Sequence, residues 1–376
     1  VVTPMKKVLV IAGTRPEAVK LAPLVHELRR RPGDFTVHLC SSGQHQTMLE
    51  QTLADFDLKP DSSLQVMTGN QSLAGLSARL FSEVDGLLDR LAPDVVLVQG
   101  DTTTVQVSAL SAFYRHIPVG HVEAGLRTWN LNSPFPEELN RRVVALAARW
   151  HYAPTELARQ NLLAERIRPE NVIVTGNTVI DALHMTLAAS RRHPPALPPR
   201  VEAVLAQKNP VILVTGHRRE SFGEGFRRIC AALKNVALAL PHMWIVFPVH
   251  LNPHVHGPVT EMLGGIPNIL LEAPLPYTAF VRLMDACTLI LTDSGGIQEE
   301  GPSLSKPVLI MRDTTERPEG VEAGVNRLVG TDSQRIFDEV LGLMGNPSHI
   351  AAMQNAANPY GDGKAAKRIV DHLKMQ

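Results

Sequence analysis

Short, unbroken apolar runs, each closed by glycine or small polar residues and followed by a helical pattern, recur along this chain and leave it few architectures. Val8–Ala12 is the first, leading into Gly13-Thr14-Arg15-Pro16-Glu17 and then to apolar positions at Val19, Leu21, Leu24, Val25 and Leu28. A strand that is apolar at every position is buried on both faces, as the strands of a parallel sheet are. Pro16 suits the first turn of a helix, where its missing N–H costs nothing. The same order of run, loop and helix follows at Phe35–Cys40 into Ser41-Ser42-Gly43-Gln44-His45, and at Val95–Val98 into Gln99-Gly100-Asp101-Thr102. It returns at Val119–Val122 into Glu123-Ala124-Gly125, and at Val172–Val174 into Thr175-Gly176-Asn177. Strands alternating with helices imply βαβ units and a parallel sheet. Right-handed crossovers put all these loops on one sheet edge. Ligands of such sheets bind outside the carboxyl ends of the strands, so Arg15, Gln44, Asp101 and Glu123 are predicted to converge. The first loop is not a GxGxxG fingerprint, so nothing there calls for a dinucleotide.

The second half repeats the first. After the run Val211–Thr215 comes Gly216-His217-Arg218-Arg219-Glu220, which echoes Gly13 to Glu17 as Gly, one residue, Arg, one residue, Glu. At 376 residues the chain is too long for one ordinary core, and the echo predicts two α/β domains of like architecture. Four prolines in RRHPPALPPR, residues 191–200, mark a boundary or a surface segment between them. Gly223 and Gly225 predict a mobile loop after the echo. Further on, Leu289–Leu291 ends in Thr292-Asp293-Ser294-Gly295-Gly296, followed by a helical segment from Ile297 to Glu300. Adjacent glycines let a ligand approach the backbone, and the free N–H groups of a starting helix favour phosphate. Glu300, a turn further on, is placed to accept the hydroxyls of a ribose. Arg317, in the loop after the strand Val308–Met311, is a second phosphate clamp, because a guanidinium matches that geometry.

Two other features bear on chemistry. Ser133-Pro134-Phe135-Pro136 stiffens the entry to a helix that carries Glu137, Glu138 and Arg141, and Asp101, Glu123 and Glu137 together suit general acid–base work. His250, His254 and His256 follow the strand Trp244–Val249, but no acidic or thiol cluster accompanies them, and two prolines favour a rigid loop over a zinc site. With 37 basic and 37 acidic residues the formal net charge is zero, so no global field recruits nucleic acid or a membrane surface. Cys40, Cys230 and Cys287 are isolated, no apolar run reaches transmembrane length, and VVTPMKK lacks a signal-peptide core, so a cytoplasmic chain with reduced thiols is the expectation.

These motifs together resemble the bacterial non-hydrolysing UDP-N-acetylglucosamine 2-epimerases, in order from GTRPEAVK at Gly13 to NPYGDG at Asn358. GDTTT, HVEAGLRT, PFPEE, GNTVIDAL, GHRRESFG, PVHLNP, LTDSGGIQEE and MRDTTERPE lie between them. The resemblance implies a GT-B-type architecture, two Rossmann-like domains with an interdomain cleft. The expected division is 1–177, joined by a returning C-terminal helix at 364–376, and 178–363. It implies interconversion of UDP-GlcNAc and UDP-ManNAc as a homodimer, without nicotinamide or an essential metal. By motif, Arg15, Lys20, Asp101, Glu123, Glu137, Arg141 and His217 belong to the catalytic group. Arg15, His217, Phe280, Ser294, Gly295, Gly296, Glu300 and Arg317 belong to the UDP group. An activator site for a second UDP-GlcNAc is implied at Gln44, Gln46, Arg218 and His250. Gln46 replaces the family's usual Arg, and Trp129 stands where Gly is more frequent.

The implied reaction has a chemical obstacle. C2 of the sugar has no adjacent carbonyl, so its proton is not acidic in the ground state. If UDP departs first, cation character at C1 acidifies C2–H and the product is a 2-acetamidoglucal. Protonation at C2 from the other face and return of UDP invert that carbon. A GT-B glycosyltransferase, or a hydrolysing epimerase, uses the same UDP-sugar and is the alternative reading.

Overall fold

The computed structural model describes residues 5–43, 46–67 and 71–376, and for 46–48 the helical backbone alone. It divides into one unit of Val1–Met185 with Tyr360–Gln376 and a second of Thr186–Pro359. The division near 185 falls within the helix Thr178–Arg192, not at the 177/178 boundary expected from the loop. RRHPPALPPR therefore lies inside the second unit, and Pro199 opens the helix Pro199–Ala206.

In the first unit the strands are β1 (Lys6–Ala12), β2 (Phe35–Ser41), β3 (Ser62–Ser63), β4 (Val95–Gln99), β5 (Val119–Val122), β6 (Trp150–Ala153) and β7 (Val172–Val174). They form one sheet in the order β3-β2-β1-β4-β5-β6-β7, with every neighbouring pair parallel. Leu9, Val10, Ile11, Val96, Leu97 and Val98 are fully buried, as their unbroken apolar runs require. The order reverses direction between β1 and β4, which is where ligands of such sheets bind. β6 has no apolar run to announce it: His151 sits mid-strand, in register with His121 of β5, and both rings are buried. Burial pushes the His121 and His151 imidazoles down to about 4 and about 3, so both are neutral at physiological pH.

The C-terminal helix Ala365–Met375 packs on this first unit. Asp181 accepts the N–H groups of Ala365 (3.1 Å) and Ala366 (2.9 Å), filling the donors that a helix start leaves open. Lys6 Nζ donates to Leu373 O (2.7 Å), and Asp371 pairs with Arg31 (2.7 Å).

The second unit contains β8 (Val211–Thr215), β9 (Trp244–Pro248), β10 (Ile269–Glu272), β11 (Leu289–Thr292), β12 (Val308–Ile310) and β13 (Asn326–Leu328). Its sheet runs β10-β9-β8-β11-β12-β13, all parallel, with the reversal between β8 and β11. The two parallel α/β domains expected from the sequence are thus both present. Two local expectations are corrected. Gly225 lies inside the helix Glu224–Ala239 and is not part of a loop, while Gly223, at φ 76°, is the residue that starts it. The segment after His250 is not a rigid loop but the helix Pro253–Leu263: Asn252 accepts the His254 N–H (2.9 Å) as its cap, and Pro253 takes the first helical position.

Candidate active site

In the first unit the ends of β1, β2 and β4 meet at the point of reversal, with the end of β5 beside that of β4. A Cβ on Gly13 would stand 2.7 Å from Thr104 Oγ1 and 3.0 Å from Ser42 Oγ, so three loops close on a position only glycine fits. Glu17 turns inward and is almost wholly buried. Its carboxyl accepts the Gly13 N–H (2.6 Å) and the Thr14 hydroxyl (3.0 Å), and Thr102 bonds to it from the β4 loop. Burial pushes the Glu17 carboxyl up to about 7 despite these donors, helped by the neighbouring charge of Asp101.

Asp101 follows Gly100, which takes φ 83° at the end of β4. Its Oδ2 receives both Arg141 Nε and Nη2 at 2.8 Å, and its backbone carbonyl accepts Asn140 Nδ2 (2.8 Å). Arg141 also reaches Glu138 (3.1 Å), on the helix Glu137–Ala147 that begins with half-buried Glu137. Glu123 sits beside Asp101's strand, at the end of β5. Its carboxylate is ion-paired with Lys20 and accepts Gln99 Nε2 (3.0 Å) and Asn177 Nδ2 (3.3 Å). The Glu123 backbone is left-handed at φ 63°, a conformation that costs a non-glycine residue about 1–3 kcal/mol. Strain of that kind is held only where surrounding bonds fix it, and here they fix a carboxylate.

Arg15 starts the helix Arg15–Arg29, half-buried; its charge draws the Asp55 carboxyl down, while burial pushes that carboxyl up more strongly. Trp129 also has a left-handed backbone, at φ 62°, a conformation that suits the glycine the resemblance implies at this position. Glu138 accepts its N–H and that of Thr128, both at 3.1 Å, and so shapes the loop before Glu137.

In the second unit the loops after β8 and β11 lie side by side. Asp293 is fully buried, and its Oδ2 accepts the N–H groups of His217 (2.7 Å) and Arg218 (2.8 Å). Burial holds the His217 imidazole below its usual range; Asp293 opposes this, and Arg218 and His250 add to it. His217 and His250 stack at 5.6 Å between ring centroids. Ser294 caps the helix Gly295–Ser303 without a side-chain bond, so its first N–H groups are not closed by the cap. A Cβ on Gly295 would lie 2.5 Å from Arg317 Nη1, so the guanidinium rests directly on the glycine. Arg317 is ion-paired with Glu299 and with Glu316 (2.8 Å). Glu316 also meets Arg312 (2.7 Å) and Arg218 (3.3 Å). Burial opposes its charge, but Arg317, Arg312 and Arg218 together outweigh that and hold Glu316 far below the usual carboxylate range. Glu300 accepts the Tyr277 hydroxyl (2.7 Å), and Phe280 follows Tyr277 on the same face of the helix Tyr277–Ala286.

In the first unit Asp101 is brought to Arg141 and Glu123 to Lys20, and in the second Gly295 meets Arg317 while His217 meets His250 and the loop of Asp293. Of the residues expected at an activator site, Gln44 lies outside the described residues and the Gln46 side chain does too, whereas Arg218 and His250 both adjoin His217. Sequence reasoning missed Gln99, Asn177, Asp293, Tyr277 and Glu316, each of which bonds to another site residue, and Glu17, which closes the loop that carries Arg15. Asp293 had a signal, its place inside the loop motif after β11. Among the described residues no group of three or more His, Cys, Asp or Glu is placed to hold a metal ion.

Residues 26–374 match the family model described as UDP-N-acetylglucosamine 2-epimerase. The chain is 51% identical to the UDP-N-acetylglucosamine 2-epimerase of Salmonella typhimurium over 375 residues, 98% of each chain, and equally to that of Escherichia coli. It resembles the crystal structure of UDP-GlcNAc 2-epimerase from Neisseria meningitidis bound to UDP-GlcNAc, with TM-score 0.90 and 45% identity over 98% of this chain and 100% of that one. The Methanocaldococcus jannaschii UDP-GlcNAc 2-epimerase in complex with UDP-GlcNAc and UDP gives TM-score 0.82 and 32% identity, over 98% of this chain and 100% of that one.

Proposed function

This chain belongs to the UDP-N-acetylglucosamine 2-epimerase family, and on that premise we propose that it interconverts UDP-GlcNAc and UDP-ManNAc by eliminating UDP to 2-acetamidoglucal and adding it back. As an isomerase it leaves the atoms of its substrate unchanged and alters one stereocentre. The observation that carries the mechanism is the pair Asp101 and Glu123, at the ends of adjacent strands and each held by a cation, Arg141 and Lys20. A carboxylate so fixed is oriented for proton transfer at carbon, worth roughly 100- to 10,000-fold in rate.

The roles divide by unit. Gly295 and Gly296 offer backbone N–H groups to the diphosphate, with the Ser294 hydroxyl and Arg317 beside them, while the Ser294 N–H is held by Thr292 Oγ1 (2.9 Å); Glu300 takes the ribose hydroxyls, oriented by Tyr277, and Phe280 lies against the uracil. Arg15 and His217 assist the departing diphosphate, where one well-placed donor is worth about 3–4 kcal/mol of barrier. Asp101, Glu123 and Glu137 jointly remove and return the C2 proton, with Lys20 and Arg141 setting two of them. Removal and return of one proton involve no net oxidation, so the proposal includes neither nicotinamide nor an essential metal.

A second UDP-GlcNAc acting as activator through Gln44, Gln46, Arg218 and His250 belongs to the same proposal; the stacking of His250 on His217 supports it. So does homodimer formation, supported by exposed Phe113, Tyr114 and Leu146 on the helices Thr103–Tyr114 and Glu137–Ala147. No helix among the described residues is long and apolar enough to cross a membrane. Buried, unpaired Cys40, Cys230 and Cys287 support operation in the reducing cytoplasm.

The test is one NMR tube of UDP-GlcNAc with the protein in D2O. New anomeric signals of UDP-ManNAc with deuterium at C2 support the elimination. Epimer lacking the label excludes it; free ManNAc identifies a hydrolysing enzyme, and transfer to an added acceptor a glycosyltransferase.

A further inference from the structure

Resting on the reading that His217 assists the departure of UDP, we propose that the buried carboxylate of Asp293 is a positioning residue that presents His217 Nε2 to the leaving diphosphate. Asp293 follows β11, the strand paired with β8, which leads into His217. One of its oxygens, Oδ2, fixes the loop through the N–H groups of His217 and Arg218. The other, Oδ1, lies 3.3 Å from His217 Nδ1 and makes no hydrogen bond. A fully buried carboxylate oxygen demands a donor, and His217 Nδ1–H is the one within reach of a small ring rotation. With Nδ1 turned to the carboxylate, Nε2 points to the opposite side of the ring.

As the C1–O bond breaks, its electron pair stays with the diphosphate, and Nε2–H of the imidazolium gives its proton to that oxygen. A neutral imidazole protonated at Nδ1 remains, and the proton returns to Nε2 when UDP adds back. Within its unit the ring is faced by Asp293, Arg218 and His250. Burial, Arg218 and His250 disfavour the imidazolium, and Asp293 alone of the three neighbours favours it.

The test uses the full chain, wild type and Asp293→Asn, which keeps one oxygen for the two loop N–H groups. In the variant kcat is expected to fall about 100- to 10,000-fold, as loss of a comparable orienting carboxylate does. UDP affinity is expected to stay within about threefold, while the limb of the pH–rate profile set by His217 moves to lower pH. The ring 15N shifts of neutral His217 are expected to show Nδ1–H in the wild type and Nε2–H in the variant. Unchanged pH profile and tautomer in Asp293→Asn overturn the proposal. So does an Nε2–H tautomer in the wild type, a measurement that needs neither a folded variant nor turnover. A wild type that leaves UDP-GlcNAc unchanged while showing Nδ1–H defeats the assigned activity and leaves the Asp293–His217 geometry standing.

Discussion

The two units start from the same short pattern, Gly-x-Arg-x-Glu after an apolar strand, and wire it differently. In the first, Glu17 folds back on its own loop and closes Gly13 and Thr14. In the second, the equivalent Glu220 pairs with Arg312 (2.6 Å), and the loop is closed by Asp293 from the neighbouring strand. The consequence is electrostatic. In the first unit single cations hold carboxylates at the sheet edge. In the second, Glu316 is enclosed by Arg218, Arg312 and Arg317, beside a helix start that no side chain caps. Under the proposed function, one half handles protons and the other phosphate.

Asp101→Asn tests that division most severely. Epimerisation followed by NMR is expected to fall roughly 100- to 10,000-fold, whereas UDP affinity by calorimetry stays within about twofold. Parallel losses in both would mean that the two halves are not specialised in this way. Arg317→Ala is the converse test. UDP binding is expected to be lost, and because Glu299 is buried, removing its partner destabilises by about 3–5 kcal/mol, Glu316 keeping Arg312 and Arg218. A melting temperature equal to wild type would show that these ion pairs do not matter to the second unit.

A smaller effect distinguishes the two loop clamps by pH. The Glu17 carboxyl, raised to about 7 from 4.5, keeps its proton in the folded state where the unfolded chain has released it. Its contribution is therefore full below pH 4.5 and is lost as pH rises to about 7, a change of about 3 kcal/mol. Glu17→Gln removes the titration, so its denaturation midpoint is expected to vary less across that window than the wild type's. Equal slopes for the two proteins would place the buried proton elsewhere.

What the sequence made legible follows the same divide. Unbroken apolar runs announced β1, β4, β8 and β11, because strands buried on both faces leave no polar position. β6 stayed hidden because buried His151 sits mid-strand, and a histidine reads as polar whether or not it is buried. Residues that would touch ligand were visible as loop motifs. Residues that hold them were not, because Asp293 and Tyr277 act through partners set by the fold: Asp293 meets a loop 76 residues away in sequence and Tyr277 a carboxylate 23 away. No local pattern encodes such a pair.

Tyr277→Phe is the mildest of these tests and addresses that hidden class. The hydroxyl donates to Glu300 at 2.7 Å from a buried position, and its loss removes one hydrogen bond to a carboxylate while keeping the ring. Such a bond is worth about 1.5–3 kcal/mol, but Glu300 gains access to ribose hydroxyls as replacement donors once nucleotide is bound. The expected result is therefore a loss of stability without UDP that is larger than the loss of UDP affinity, measured by melting with and without saturating nucleotide. If affinity falls while the unliganded protein melts as wild type, Tyr277 touches the nucleotide itself and Glu300 is oriented by some other group.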